Sequence, residues 1–352
     1  MVRSSLRSIS EIGMQITDTV YTQMNQATPV TGRFSSDFQQ FPNGAITKPN
    51  GEAIYEPRRM VQKHDKYDYL VAIDYSQIEL RVQALYTILL GTPDLNLSRA
   101  YMPFECYTLI DGKKYDFNCE NPKHLKLFGN STWYHKEDDV EWHPVDVHAA
   151  TTSQIYPDMD ISTEEFKHLR GSVGKRLNFA KNYGASNKQT KIMFGKDRTE
   201  EELQWIDGAY YRAFPGVKQY QQYCYAVAAQ GYMTNLFGRR YYNISGHNGM
   251  NALVQGSAAD LLKERIIDLE NYIQENHLKS RMIVTIHDEI FFGVIREELH
   301  HVDKFVEIME TFKGSRVPIV AEVEFTDDTW ADMKGANNAS DIIRFDKNKS
   351  SN

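Results

Sequence analysis

Cysteine and long apolar runs are scarce in this sequence of 352 residues. The three cysteines, Cys106, Cys119 and Cys224, are too few and too scattered for a disulfide framework. No run of 18 apolar residues occurs, so no membrane-spanning helix is expected. The first residues contain no apolar core of signal-peptide length. These absences predict a soluble protein of a reducing, intracellular compartment.

Zinc binding has little support in the sequence. Cys106, Cys119 and His124 are the residues that could contribute ligands. Structural zinc sites, however, usually draw ligands from closely spaced pairs, and these three residues form no such pair.

An overall positive charge is also absent, since 40 Lys and Arg face 47 Asp and Glu, a net charge of −7. Overall charge says little about a local binding surface. Residues 167–196 contain eight Lys or Arg and no Asp or Glu. This stretch is either a focused anion-binding surface or a solvated basic face.

Two acidic motifs each follow a hydrophobic run typical of a strand. Asp74 follows residues 69–73, and Asp288 with Glu289 follows residues 282–286 and His287. Acids at two strand ends can meet across a sheet and share divalent metal ions. Taken singly, each such aspartate would more often be a turn or cap residue.

Between the acidic motifs, Lys175, Phe179 and Tyr183 recur at four-residue spacing, which puts them on one face of a helix. An aromatic stripe at this spacing usually belongs to a core. Its basic surroundings favour a stacking platform instead. Metal-binding acids together with a cationic, aromatic helix are what phosphoryl transfer from a nucleoside triphosphate requires.

The remaining pattern predicts a mixture of short strands and helices. We expect strands at 69–73 and 319–325, a hairpin around Asp111-Gly112, and a second hairpin of 281–286 with 290–295. One helix is predicted to begin near Gln77, and others are predicted at 163–183, 249–275 and 297–312. A further helical segment covers 200–230 and is broken at 214–216. Residues after Lys334 are polar and predict a flexible tail.

These motifs resemble those of family A DNA polymerases, the bacterial DNA polymerase I type. The resemblance rests on D-Y-S-Q-I-E-L-R at 74–81, K-R-L-N-F-A-K-N-Y-G at 175–184 and H-D-E at 287–289. Flanking segments agree in order, namely T-G-R-F-S-S at 31–36, D-V-H at 146–148, G-R-R at 238–240 and N-x-x-x-Q-G-S-A-A-D at 251–260. The similarity runs from about residue 26 to residue 330 with one gap.

The resemblance implies an α+β fold in which an antiparallel palm sheet carries helical fingers. It divides the chain into a lead-in (1–30), a first palm part (31–89), an insertion atypical of the family (90–141), fingers (142–235), a second palm part (236–334) and the polar tail (335–352). The resemblance also implies that the protein acts in the cytoplasm of a bacterium or of a phage-infected host cell.

The resemblance further implies the roles of individual residues in DNA synthesis. Asp74, Asp288 and the carbonyl of Tyr75 would hold two Mg²⁺ ions, with Mn²⁺ able to substitute. The incoming dNTP would contact Gln77, Glu79, His148, Arg170, Lys175, Phe179 and Tyr183, with Lys175 in a catalytic role. Primer-template DNA would contact Arg33, Gln39, Arg240, Asn251, Gln255, His287 and Glu289. Among these, Glu79 would exclude a ribose 2′-hydroxyl, which favours a DNA over an RNA polymerase.

Two positions depart from the family pattern. The family places an arginine four residues before the lysine of the helix, where this chain has Gly171 and carries Arg170 one residue earlier. On a regular helix this shift moves the side chain about 100° round the axis, so Arg170 can substitute only if the helix start is irregular. His247 stands where the family has another arginine.

Few residues precede the first matching motif, which leaves no room for the helical thumb and the 3′–5′ exonuclease domain of the family. We therefore expect a palm-and-fingers chain without proofreading, either naturally split or artificially truncated, that works with a second polypeptide supplying both. The alternatives are a terminal or repair-type polymerase of the same fold and a non-catalytic DNA-binding or scaffolding remnant. Retention of Asp74, Lys175 and Asp288 argues against the remnant.

Overall fold

The computed structural model describes residues 22–350, apart from residues 27, 43, 49, 51–52, 92, 104, 119–120, 129, 183–184, 186 and 196–197. These residues form two compact units. Unit 1 takes in the described residues of Met1–Ile78, Ala258–Phe312 and Ile319–Asn352, and unit 2 those of Glu79–Ser257 and Lys313–Pro318. Within the described ranges, no helix combines the length and the apolar character that crossing a membrane requires.

The strands of the described chain are short. They are β1 (Ile46–Thr47), β2 (Ala53–Tyr55), β3 (Tyr69–Tyr75), β4 (Cys106–Ile110), β5 (Lys113–Asp116), β6 (Trp133–His135), β7 (Tyr232–Thr234), β8 (Arg240–Tyr242), β9 (Arg281–Ile286), β10 (Glu289–Val294), β11 (Ala321–Thr326) and β12 (Lys334–Ala336).

The helices vary from one turn to eight turns in length. They are α1 (Ile78–Leu89), α2 (Leu95–Arg99), α3 (Pro122–Leu127), α4 (Val147–Ile155), α5 (Glu164–Leu169), α6 (Arg176–Asn182), α7 (Asn187–Phe194), α8 (Glu200–Ala213), α9 (Pro215–Ala228), α10 (Gly246–Glu275), α11 (Val302–Glu310) and α12 (Ala339–Ser350). Short 3₁₀ turns occupy Asp37–Gln40, Pro57–Met60, Arg296–His301 and Trp330–Asp332.

Unit 1 is built on a five-stranded antiparallel sheet in the order β12-β11-β3-β10-β9. Its central strand β3 is apolar from Tyr69 to Ile73, and these five residues are buried. One core cluster against the sheet consists of Phe41, Leu70, Ala72, Ile286, Phe291 and Trp330. The predicted α+β fold with an antiparallel sheet is confirmed, because a run of aromatic and branched residues gains most from a central strand position.

A three-stranded sheet in unit 2, ordered β5-β4-β6, occupies much of the predicted insertion. The hairpin predicted around Asp111-Gly112 is confirmed. Both residues adopt positive φ, 49° and 74°, which a two-residue hairpin turn requires. The boundaries of the insertion stay a prediction.

The helix predicted over 163–183 is confirmed from Glu164 to Asn182, although its middle turn is π-helical. Helix α5 ends at Leu169, a π-helical turn covers Arg170–Lys175, and α6 follows. Gly174 packs so closely against α4 that an added Cβ would lie 2.1 Å from the Thr152 hydroxyl. A π turn bonds residue i to residue i+5 and therefore accommodates one extra residue per turn.

The flexible tail predicted after Lys334 is instead ordered structure. Strand β12 pairs with β11, and α12 follows it. Ile342 is fully buried and Phe345 packs edge-on against Phe325. Asp346 accepts a 2.5 Å hydrogen bond from the Tyr69 hydroxyl. The polar composition predicted a flexible tail because only a few apolar side chains pack this helix against the rest of unit 1.

Two other helical predictions met different outcomes. The break predicted at 214–216 is confirmed, since α8 ends at Ala213 and α9 begins at Pro215, whose ring suits a first helical turn. The helix predicted over 297–312 begins instead with the 3₁₀ turn Arg296–His301 and becomes α-helical only from Val302.

Candidate active site

Three carboxylates lie side by side on three neighbouring strands of the unit 1 sheet. Asp74 of β3 stands opposite Glu289 of β10 on one side and opposite Glu322 of β11 on the other. Directly paired residues share a face of the sheet, where like charges repel each other. Glu324 adds a fourth negative charge that acts on both Asp74 and Glu289. An arrangement of this kind is stable only where cations or protons offset the charge.

The electrostatics of this row favour protonation. Crowding by protein atoms, which removes part of its water, and the charges of Asp288 and Glu322 raise the pKa of Asp74 to about 7, although its side chain still reaches solvent. Burial and the charge of Asp74 raise the pKa of Glu289 to about 8, while Arg58 opposes the rise. The row therefore attracts positive charge at neutral pH.

Asp288 occupies the two-residue loop between β9 and β10. Its neighbour His287 takes a left-handed backbone conformation with φ of 56°, which makes the turn tight. Arg33 donates to both carboxylate oxygens of Asp288 at 3.1 Å. The pair is partly buried, with 22% and 23% of the two side chains exposed. A guanidinium thus already supplies one positive charge at this site.

The other predicted site residues of unit 1 lie near the ends of the same strands. Tyr75 is the last residue of β3, and its buried hydroxyl donates to the Met309 carbonyl at 2.7 Å. Gln77 follows with a φ of 53°, immediately before α1. Gln39 lies in a 3₁₀ turn and donates to the Phe34 carbonyl at 2.9 Å.

The donor set suits a hard divalent cation better than zinc. Carboxylate and carbonyl oxygens, the chemistry of Asp74, Asp288 and Tyr75, are the ligands that Mg²⁺ prefers. No cluster of three or more His, Cys, Asp or Glu side chains within the described ranges could hold a metal ion without other donors. Of the weak zinc candidates, Cys106 instead lies 3.8 Å from His135, and Cys119 lies outside the described residues.

Unit 2 carries the predicted nucleotide helix, of which the π turn is the first part and α6 the second. Lys175 and Phe179 lie one turn apart, with the lysine ammonium 5.9 Å from the centre of the exposed ring. Arg170 lies five residues before Lys175, which is the spacing that a π-helical hydrogen bond spans. The irregular start that the sequence required is therefore present. Arg170 pairs with Asp146 at 2.5 Å.

His148 lies beside the nucleotide helix on α4. Its Nδ1 accepts a 3.0 Å hydrogen bond from the Asn178 amide, and its ring lies 5.8 Å from that of Phe179. Loss of solvent, together with the charges of Arg170 and Lys175, lowers the pKa of His148 to about 4 against the opposing effect of Asp146. The imidazole is therefore neutral at pH 7 with its Nε2–H available as a donor.

Glu79 forms the centre of a buried polar network in unit 2. It is 8% exposed and accepts hydrogen bonds from Asn182 at 3.2 Å and from Gln255 at 3.1 Å. Tyr183, predicted to contact the incoming dNTP, lies outside the described residues. Gln255, for which a DNA contact stays a prediction, donates to the Glu79 carboxylate.

The last two predicted contacts of unit 2 lie on separate elements. Arg240 is exposed on β8, with its guanidinium 5.3 Å from the centre of the Tyr232 ring. Asn251 lies on α10, and its buried Oδ1 finds no hydrogen-bond donor among the residues described.

Sequence reasoning missed several residues of these two groups. They are Glu322 and Glu324 beside Asp74, Asn178 beside His148, and Asn182 beside Glu79. The alternation A-E-V-E-F at 321–325 was a readable signal, because a strand places both glutamates on one face. Asn178 and Asn182 are four residues apart on α6, which was a helical signal of the same kind.

Comparison with known proteins identifies relatives that match most of the chain. The sequence profile of DNA polymerase family A matches residues 3–91 and 126–332. The unmatched residues 92–125 fall within the insertion predicted at 90–141.

Curated relatives include bacterial DNA polymerases. The DNA polymerase I of Bacillus caldotenax is 29% identical over 333 residues, which is 90% of this chain and 32% of the relative. The thermostable DNA polymerase I of Thermus aquaticus is 26% identical over 336 residues, covering 90% and 33% of the two chains. The chain thus spans about a third of the length of the curated relatives it matches.

A solved structure shares the fold. It is the POL domain of Pol1 from M. smegmatis, in complex with DNA primer-template and dNTP. The similarity has a TM-score of 0.67 at 22% identity and covers 94% of this chain and 52% of that one.

Proposed function

Because the chain belongs to DNA polymerase family A, we propose that it adds deoxynucleotides to a primer 3′-hydroxyl under the direction of a DNA template. The observation that carries the proposal is the row of carboxylates around Asp74, which gathers negative charge at the ends of three strands. A purely structural sheet gains nothing from such repulsion. Similarity to DNA polymerase I over most of the chain supports the same reaction.

Asp74, Asp288 and the Tyr75 carbonyl would hold two Mg²⁺ ions, for which Mn²⁺ can substitute. Such a pair activates the attacking hydroxyl and neutralises the leaving group when bound. Arg33 donates to both oxygens of Asp288, so it would have to release them to expose this ligand. Arg33 could then turn to the phosphates of the primer-template.

The dNTP would bind along the nucleotide helix. Lys175 would place a positive charge at the triphosphate, where negative charge develops on the leaving group. His148 would donate its Nε2–H to the same phosphates as a neutral imidazole, consistent with its lowered pKa. Phe179 and Tyr183 would pack beside the sugar and base, and Gln77 would contact the nucleotide from the end of β3.

Arg170 would complete the phosphate contacts by means of the π turn. Replacing Arg170 with Ala should raise the KM for dNTP about tenfold, since a hydrogen bond to a charged group contributes about 1.5–3 kcal/mol. The measurement is steady-state primer extension over a range of dNTP concentrations.

A double variant, R170A with G171R, is the matched control for this prediction. An added Cβ at Gly171 meets no atom within 4 Å, so a side chain can leave the backbone there without a clash. The new arginine restores the four-residue spacing of the family, whereas the π turn spaces its hydrogen bonds by five residues. Recovery of the dNTP KM by the double variant would show that the π turn does not set the register.

Glu79 would select the sugar by filling the space that a 2′-hydroxyl needs. Replacing Glu79 with Ala should improve ribonucleotide over deoxynucleotide incorporation at least roughly tenfold, or about 1.4 kcal/mol, at some cost in rate. Glu79→Gln, which keeps the side-chain volume, is the control and should retain selectivity.

Phe179→Tyr should ease dideoxynucleotide incorporation, because its hydroxyl could replace the missing 3′ contact. Unchanged kcat/KM ratios in both E79A and F179Y would refute this assignment of the helix.

Primer-template DNA would contact Arg33, Gln39, Arg240, Asn251, Gln255, His287 and Glu289. Polar groups of this kind can read the minor groove, where correct base pairs present similar acceptors. The Asn251 Oδ1, which lacks a donor within the described chain, is one group that such a contact would satisfy.

A second polypeptide, carrying a thumb and a 3′–5′ exonuclease, would supply further duplex contacts. The curated relatives are about three times as long as the matched chain. Each missing phosphate contact weakens binding, and it also makes the salt dependence of binding shallower because fewer counterions are released. Adding such a protein should restore tight binding at physiological salt.

Primer extension with purified chain, primer-template, four dNTPs and Mg²⁺ tests the proposed function directly. Template-dependent products that require all four dNTPs support it. Extension without a template would favour a terminal transferase, and a purified chain that binds DNA without extending it would favour a scaffold.

A further inference from the structure

A cavity of about 450 Å³ in unit 2 belongs to none of the groups described above. Its walls include Arg81 from α1, and Tyr101, Phe128, Trp133, Glu141 and Trp142 from the segment that leads to α4. Its volume falls within the range of small-molecule sites, which are usually lined by aromatic side chains with a few polar groups.

The aromatic walls are held in place by their own packing. Phe128 and Trp142 meet edge to face with ring centres 5.9 Å apart. Trp133 packs edge-on against Phe117 at 5.2 Å, and Tyr101 and Trp133 are each only 3% exposed. Fixed rings lose little freedom when a flat ligand stacks against them, and one stacked base is worth about 1–3 kcal/mol.

Polar groups accompany these rings. The Arg81 guanidinium lies 4.5 Å from the centre of the Tyr101 ring and donates to the Pro318 carbonyl at 2.8 Å, so its position is fixed. Glu141 is exposed at the cavity. The buried indole nitrogen of Trp133 meets no acceptor within the described chain. An aliphatic or phenyl side chain of a protein partner would take water from the Glu141 carboxylate without offering it a donor, at a cost in free energy.

We propose that this cavity binds a nucleobase. A base is a flat ring for the aromatic walls, and its edges carry both donors and acceptors for the polar groups. Guanine fits best, because O6 and N7 accept from an arginine, while its N–H groups can donate to a carboxylate such as Glu141. Residues 92–145 carry nine Asp and Glu against six Lys and Arg, so the cavity recognises the base and leaves phosphates in solvent.

Equilibrium dialysis of the full chain against each of the four deoxynucleosides tests the proposal. Deoxyguanosine should bind more tightly than thymidine, whose edge offers a single N–H. Trp142→Ala should weaken deoxyguanosine binding about tenfold, and Glu141→Gln should reduce the preference for guanine. A hexanucleotide with one guanine among thymines separates the two sources of the base. Tighter binding of the oligomer identifies an unpaired strand, and tighter binding of the nucleoside identifies a free ligand.

Three further variants keep the test decisive. Thr132→Phe fills the cavity from an exposed lining position and should also abolish binding, which guards against a W142A chain that fails to fold. Tyr115→Ala, which removes an exposed aromatic of β5 outside the lining, should bind normally. Asp74→Ala should bind normally too, so failure of the proposed polymerase activity leaves this result unchanged.

Two outcomes would overturn the proposal. One is equal binding of deoxyguanosine by the native, W142A and T132F chains. The other is binding of the tripeptide Lys-Phe-Lys at the cavity while no nucleoside binds, which would identify a protein segment as its ligand.

Discussion

Asp74→Ala and Asp288→Ala should each lower the rate of primer extension at least about a thousandfold while DNA binding largely survives. The two carboxylates are the proposed metal ligands, and a metal ion contributes several kcal/mol of transition-state stabilisation, where each 1.36 kcal/mol is a factor of ten in rate. Single-turnover extension with saturating Mg²⁺ and dNTP measures the rate, and fluorescence anisotropy of a labelled primer-template measures binding.

Glu322→Gln is the matched control for these variants. Glu322 pairs with Asp74 in the same row but is exposed and carries no proposed metal. Its replacement should change the rate less than about tenfold. If D74A or D288A extends at near the native rate, or if E322Q is as slow as they are, the assignment of the metal ligands is wrong.

Stability provides a second check that lost activity is not lost folding. The pKa of Asp74 rises from 3.8 to about 7 in the folded chain, so the folded state binds this proton more tightly than the unfolded state does. Without metal, its contribution to stability is therefore full below about pH 4 and is lost as the pH rises through 7. Asp74→Asn should consequently be at least as stable as the native chain at pH 8, as measured by thermal unfolding in EDTA.

Lys181→Met should destabilise the nucleotide helix by about 3–5 kcal/mol and raise the KM for dNTP. Lys181 and Asp207 form a 2.5 Å ion pair with 1% and 10% of their side chains exposed, and the lysine also donates to the Ala185 carbonyl. Removing one partner strands the other charge away from water, which accounts for this magnitude. The pair joins α6 to α8, so its loss should loosen the helix that carries Phe179.

Hydrogen exchange of the α6 amides and steady-state dNTP kinetics together measure this effect. Lys191→Met is the matched control, because Lys191 and Glu200 pair at the same 2.5 Å but are about half exposed. Exposed pairs contribute at most about 1 kcal/mol. A double variant, K181M with D207L, should recover most of the lost protection. Equal effects of K181M and K191M, or no recovery in the double variant, would contradict a positioning role for the buried pair.

Sequence patterns alone sufficed for the elements with strong local signals. The apolar run before Asp74 became the central strand, the residues Asp111-Gly112 formed a hairpin turn, and Pro215 began a helix. In each case the decisive physics is local, namely burial of a branched run, positive φ in a tight turn, or a fixed proline φ. The prediction of a flexible tail after Lys334 was wrong because the helix there depends on distant partners such as Tyr69 and Phe325.

The sequence by itself determined which chemical groups this protein has, and at what spacing along the chain. Asp74, Lys175 and Asp288 were readable because strand ends and helical repeats translate directly into position. Only the tertiary structure decided how the groups act on one another. Strand pairing set Glu289 and Glu322 beside Asp74. Loss of solvent and the charges of Asp288 and Glu322 raised the pKa of Asp74, and the close packing of Gly174 accompanies the π turn between Arg170 and Lys175. Pairing register and close packing depend on residues far apart in sequence, so no local pattern encodes them.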